Sequence, residues 1–179
     1  LSAAFDTVDH QILLKRLIHE YGITGRVIEW IQSYLTGRTQ FVRFNGTTSQ
    51  AMAATSGVPQ GSVLGPVLFI AYSAGVINIV EHHGLRAHGY ADDLQVYGHV
   101  AQDDVSSLVV RMVACIEHVK SWMTSNRLRL NPSKTELIWL GSSRRLHHCP
   151  ADKVRISDAD IQPVESVRDL GVLIDGAMT

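Results

Sequence analysis

The chain has 179 residues, enough for one domain with a real core, and its 45% hydrophobic content is ordinary for a globular protein. Lysine and arginine number 16 against 17 acidic residues, a net charge of −1, which gives no global electrostatic signature of a nucleic-acid binder. Cys115 and Cys149 are far apart and lack CxxC spacing, which argues against a disulfide framework and fits a reducing, intracellular compartment. No basic-then-apolar leader opens the sequence, so secretion is not expected, and a start at Leu1 reads as a piece of something longer.

Residues 1–5 are a short apolar strand candidate. Thr7-Val8-Asp9 offers caps for a helix carrying Ile12, Leu13, Leu14, Leu17, Ile18 and Tyr21 on one broad face, stopped by Gly22. Thr24 caps a second helix with Val27, Ile28, Ile31, Tyr34 and Leu35 inward, stopped by Gly37. Both stripes read as core. Residues 38–44 and 47–54 flank Asn45-Gly46, which supplies the positive φ angles of a type I′ turn, so a hairpin is expected there.

Residues 55–66 hold three glycines and two prolines, which make a loop of restricted and uncommon shape leading into a long apolar helix over 67–80. Glycine lets backbone approach a ligand, and amides at a helix N-terminus favour anions such as phosphate. An ordinary connector is the competing reading, but Ser56, Gln60 and Ser62 add hydrogen-bonding groups that a connector does not need. The apolar run over 63–80 approaches membrane-span length. Gly65, Pro66, Ser73, Gly75 and Asn78 interrupt it, so it is read as a buried helix, with no membrane partner expected.

The next stretch organises the chain. Residues 85–90 are extended in character, and Leu94-Gln95-Val96-Tyr97 alternates apolar and polar as a half-buried strand does. Asp is a poor strand former and a good turn former, so Asp92-Asp93 belongs at the hairpin tip. Two adjacent carboxylates repel each other, and a divalent cation is the simplest compensation; Mg²⁺ takes one or two carboxylates plus water and phosphate oxygens. Asp103-Asp104 is the same dipeptide but precedes an amphipathic helix, and reads as a solvated cap.

That helix places Val105, Leu108, Val109, Met112, Val113, Ile116, Val119 and Met123 at the 3.6-residue period, with Cys115 as a small buried hydrophobe. Leu128-Arg129-Leu130 and residues 136–140 form another strand pair around Asn131-Pro132-Ser133 and Lys134. His147-His148-Cys149 has the look of a zinc half-site, yet no second ligand pair stands at suitable spacing. Residues 154–156, 161–164 and 167–174 close the chain as short strands. The order βααβ(β)αββαββ indicates an α+β fold with an antiparallel sheet packed on helices.

Three stretches in fixed order resemble motifs A, B and C of reverse transcriptases: Leu1-Ser2-Ala3-Ala4-Phe5-Asp6, Ser56-Gly57-Val58-Pro59-Gln60-Gly61-Ser62 and Tyr90-Ala91-Asp92-Asp93. Leu130-Asn131-Pro132-Ser133-Lys134-Thr135-Glu136 resembles motif D, and Leu170-Gly171-Val172 resembles motif E, the primer grip. Phe5-Asp6-Thr7-Val8-Asp9-His10, Leu13-Leu14-Lys15-Arg16-Leu17 and Gly22-Ile23 are similar to the LINE-type branch, the non-LTR retrotransposons of animals. The resemblance covers nearly the whole chain, read as one reverse transcriptase domain fragment over 1–179 with the palm and part of the fingers.

The resemblance implies an RNA-directed DNA polymerase: a primer 3′-hydroxyl attacks the α-phosphate of a deoxynucleoside triphosphate, served by two Mg²⁺ ions (Mn²⁺ as a substitute) about 3.5–4 Å apart. By it Asp92 ligates metal and Asp93 supports the site less directly. Phe5 matches the steric gate against a ribose 2′-hydroxyl, while Ser56, Gly57, Pro59, Gln60, Gly61 and Tyr90 line the nucleotide and template pocket. Lys134 is the acid that would protonate pyrophosphate, with a solvated turn lysine as the competing reading. RNA template, DNA primer and deoxynucleoside triphosphates are the implied partners, in cytoplasm and nucleus, with the oligomeric state open. With Phe5 as gate, the first motif A carboxylate falls one position before Leu1, so neither Asp6 nor Asp9 takes that role and the chain by itself is expected to be inactive. The alternatives are a palm remnant without chemistry and a group II intron-type reverse transcriptase. An RNA-dependent RNA polymerase is disfavoured by bulky Phe5 and by Ala91 before the Asp pair.

Overall fold

The computed structural model describes residues 3–147, 149–150, 153–156 and 159–177. These group into two compact units. One takes the residues through Val76 together with Gly89–Leu94 and Met123–Arg129; the other takes Ile77–His88, Gln95–Trp122 and the residues from Leu130 onward.

Residues 4–7 form a turn where a strand was expected, held by the Asp6 and Thr7 amides donating to the Ala3 carbonyl; Leu1 and Ser2 lie outside the described residues. Asp9 then caps α1 (His10–His19), its carboxylate accepting from the amides of Gln11 at 2.9 Å and Ile12 at 3.0 Å. This satisfies two of the donors every helix start leaves open. Gly22, at φ +65, ends the turn as expected. Leu13, Leu14 and Leu17 are buried, whereas Ile18 and Tyr21, assigned to the same face, are exposed. On α2 (Gly25–Leu35) only Ile31 and Leu35 are buried, and Val27 is exposed. Helix α1 packs against both α2 and α3 (Leu64–Ser73).

The Asn45-Gly46 hairpin forms with both residues at positive φ. Its inner ladder pairs β2 (Arg43–Phe44) with β3 (Thr47–Thr48), and its outer ladder pairs β1 (Thr39–Gln40) with β4 (Met52–Ala53). The long apolar helix begins earlier than expected because Pro66 falls in the first turn of α3, where no amide donor is needed. It breaks at Ala74 and continues as α4 (Gly75–His82). Leu64–His82 is long and apolar enough to cross a membrane by length and composition, and Leu68, Phe69 and Tyr72 on it are buried side chains of the first unit.

Tyr72 anchors a polar centre in that unit. Its hydroxyl donates to the Asn126 carbonyl at 2.5 Å and accepts from the Asp9 amide at 3.3 Å. The Arg16 guanidinium lies over its ring, donates to its carbonyl and reaches Asn126 Oδ1 at 2.9 Å. Tyr72→Phe strips the donor from a buried carbonyl and is expected to cost about 1–2 kcal/mol in urea titration at neutral pH. Burial pushes the Tyr72 hydroxyl above its ordinary value. The unfolded chain therefore ionises first, and the advantage of wild type over Tyr72→Phe shrinks as pH rises above about 10. A difference that stays constant from pH 8 to 11 would contradict this buried hydroxyl.

Strands β5 (Arg86–Tyr90) and β6 (Asp93–Tyr97) form the expected hairpin, turned at Ala91-Asp92 with Ala91 at φ +51. Asp103 and Asp104 lie exposed in a short 3-10 turn before α5 (Val105–Ser125). On α5, Leu108, Cys115, Val119 and Met123 are buried, and Val105, Val109, Met112, Val113 and Ile116 of the expected stripe are half-buried. Leu128-Arg129-Leu130 is not a strand; Arg127 at φ +57 turns the chain out of α5 instead. Of residues 136–140 only β7 (Leu137–Ile138) is extended; α6 (Ser143–Leu146) follows.

The closing segment pairs β8 (Val154–Ile156) with β9 (Ala159–Ile161), and β7 runs parallel to β10 (Pro163–Val164). The last stretch is a hairpin of β11 (Ser166–Asp169) and β12 (Val172–Asp175), because Leu170 and Gly171 both take positive φ. In place of one antiparallel sheet, the described residues form six two-stranded ladders mixed with helices. The fold is mixed α and β, as expected; the single sheet is not.

Candidate active site

The expected nucleotide loop is built against the 4–7 turn, bond by bond. Val58 donates its amide to the Phe5 carbonyl at 2.9 Å, and Gly57 donates to the Val8 carbonyl at 2.8 Å. Ser56 Oγ donates to the Asp6 carbonyl at 2.9 Å, and Gln60 Nε2 donates to Asp6 Oδ1 at 3.1 Å. The Gly57 carbonyl takes two donors, His10 Nε2 at 2.8 Å and an Arg38 guanidinium nitrogen at 3.1 Å. A carbonyl only accepts, so the His10 proton on that contact sits on Nε2.

Gly57 is required here for two reasons. Its φ is +82, and a Cβ at that position would stand 2.8 Å from the Asp6 carbonyl oxygen and 2.9 Å from the Asp6 Cα. Both obstacles are backbone, which cannot swing away as a long side chain can. Gly57→Ala is expected to lose about 2–4 kcal/mol, from left-handed strain plus displacement of the 4–7 turn. Denaturant titration measures it, and a loss below about 0.5 kcal/mol would refute this loop geometry.

Phe5 is half-buried, its ring stacked on fully buried Phe69 with centroids 4.6 Å apart and planes at 23°. Pro59 is half-buried, and Ser56, Gln60 and Gly61 are exposed. Ser62, considered a ligand-facing group in sequence, does structural work. Its hydroxyl donates to the Pro59 carbonyl at 2.7 Å and accepts the Gly65 amide at 3.0 Å, which closes the entry to α3.

Asp92 is half-buried in the hairpin turn and Asp93 opens β6, exposed; Tyr90 ends β5, also exposed. All three belong to the unit that holds Phe5 and the 56–62 loop, although about thirty residues of sequence separate that loop from the hairpin. Lys134 belongs to the other unit, exposed on a 3-10 turn whose start Asn131 caps by accepting from the Ser133 amide at 3.1 Å. Among the described residues no group of three or more His, Cys, Asp or Glu side chains stands together for a metal. A carboxylate pair alone suits Mg²⁺, which completes its shell with water and phosphate, and does not suit structural zinc, which wants four protein ligands. His148 of the zinc half-site lies outside the described residues.

Sequence reasoning missed His10, Arg38 and Asp6 as makers of this loop. A signal for His10 was present: it stands on the stripe of Leu13, Leu14 and Leu17, a polar residue on a buried face.

The model of the reverse transcriptase (RNA-dependent DNA polymerase) family matches residues 1–174. The chain belongs to that family. Its reverse transcriptase relatives include a probable RNA-directed DNA polymerase from transposon X-element of Drosophila melanogaster, 28% identical over 83% of this chain and 16% of the relative. The RNA-directed DNA polymerases from mobile element jockey of Drosophila funebris and Drosophila melanogaster are 27% and 25% identical, each over 100% of this chain and 19% of the relative. The chain thus spans less than a fifth of the length of these curated relatives. Such insect mobile-element polymerases agree with the LINE-type reading of the motifs and do not favour the group II intron alternative. Reverse transcriptases are nucleotidyltransferases that use divalent metal ions.

Proposed function

We propose that this chain is the palm core of an RNA-directed DNA polymerase of a non-LTR retrotransposon, which extends a DNA primer on an RNA template. The observation that carries the reading is the gathering of Phe5, the 56–62 loop and the Asp92-Asp93 turn into one compact unit of a reverse transcriptase family member. Asp92 would ligate Mg²⁺, with Asp93 supporting the site less directly. When bound, the metal stabilises charge on the attacking and leaving oxygens of nucleotidyl transfer.

The chain's own residues supply the rest. Phe5 presents an aromatic wall beneath the sugar and excludes a 2′-hydroxyl by overlap. The 56–62 loop supports the nucleotide with Gln60 at its exposed edge, and Tyr90 borders the same pocket. The candidate proton donor to pyrophosphate is Lys134, on its resemblance to motif D alone. Primer extension on an RNA template, with deoxynucleotides and Mg²⁺ and the polypeptide that carries this chain, tests the proposal. Template-dependent incorporation supports it, and none under Mg²⁺ or Mn²⁺ overturns it.

A further inference from the structure

The loop is held by a buried polar side chain to which the motif resemblance assigns no role. His10 is 8% exposed and spends its Nε2–H on a carbonyl 47 residues away in sequence. With Arg38 it occupies both lone pairs of the Gly57 oxygen. The same peptide's N–H, on Val58, is taken by the Phe5 carbonyl. The Gly57–Val58 peptide is therefore gripped on both edges: by α1 and Arg38 on one side, by the backbone of Phe5 on the other. Moving that peptide moves the Phe5 backbone, and with it the ring stacked on Phe69.

We propose that His10 is a positioning residue for sugar selection: by holding the Gly57 carbonyl it sets the loop's distance from Phe5, and so the room left at the sugar. The inference rests on the polymerase reading above. It assigns His10 no contact with substrate. Loss of its hydrogen bond leaves Arg38 as the remaining donor to the Gly57 carbonyl and loosens that peptide, which relaxes the wall without removing the ring.

The test compares kcat/KM for a deoxynucleotide and the matching ribonucleotide in the polypeptide that carries this chain. Loss of folded enzyme cancels from that ratio, so a merely structural role leaves it unmoved. His10→Leu is expected to lower the ratio by about fivefold or more, mainly by raising kcat/KM for the ribonucleotide, with the deoxynucleotide kcat at saturation changed by less than about threefold. His10→Gln, whose amide nitrogen matches Nε2, is expected to restore the ratio. His10→Asn stops short of the Gly57 carbonyl and is expected to behave like Leu while remaining polar. It also serves if Leu at this position does not fold. His10 and Arg38 both line an open cavity of about 340 Å³, so these smaller or similar side chains need not displace core. A ratio unchanged within about twofold in both Leu and Asn variants overturns the proposal, as does a Gln variant as permissive as Leu. Asp92→Asn run alongside separates the two levels. Its inactivity with an unmoved His10 ratio refutes only the positioning role, whereas its full activity refutes the polymerase site and this inference together.

Discussion

Asp92→Asn is expected to cut incorporation by at least about a thousandfold in the polypeptide that carries this chain, because the several kcal/mol a ligated cation supplies is lost with the charge. Asn keeps the size and shape of the side chain and can still satisfy a turn, so the fold should survive. Asp103→Asn is the matched control. It removes the same charge from the same dipeptide, but from an exposed position in the short turn before α5. Its effect should stay within about twofold, as for a surface substitution without a special role. Primer extension at saturating Mg²⁺ measures both. Equal losses would mean that the first pair has no chemical distinction, and the metal site would then have to be sought elsewhere.

Phe5→Val tests substrate class and not the presence of chemistry. The ring is half-buried and stacked on Phe69, so its removal also costs folding stability, about 1–2 kcal/mol for the apolar area lost. Both substrates suffer that cost equally. If the remaining face of the ring is the wall under the sugar, the deoxynucleotide-to-ribonucleotide ratio of kcat/KM falls by about tenfold or more, which corresponds to a clash of about 1.4 kcal/mol. Phe5→Val and His10→Leu should both act by admitting ribonucleotides, the ring's removal more strongly than the loop's loosening. A ratio that does not move in Phe5→Val would leave the Phe5–Phe69 stack as core packing alone.

The local structure that short-range chemistry dictates was legible in the sequence. Asp9 as a cap, Gly22 as a stop, Asn45-Gly46 as a primed turn and the α5 stripe are each decided by a few neighbouring residues, through hydrogen bonds to the backbone or allowed φ. The ordered motifs also sufficed to identify the family, whose model matches residues 1–174. Strand pairing was much less legible. A strand exists only if a partner edge takes its amides and carbonyls, so residues 1–5 and 128–130 carried extended character without that outcome for their described residues. β7 found its partner about twenty-five residues away, in parallel. Only the tertiary structure decided what Gly57 is for. Its sequence neighbours mark it as a loop glycine. The constraint on it comes from Asp6 at 2.8 Å, His10 and Arg38, three residues brought there by the packing of other elements. A contact made across forty-seven residues depends on where two helices and a turn settle. That position is fixed by burial of their apolar faces and is carried by no short pattern in the chain.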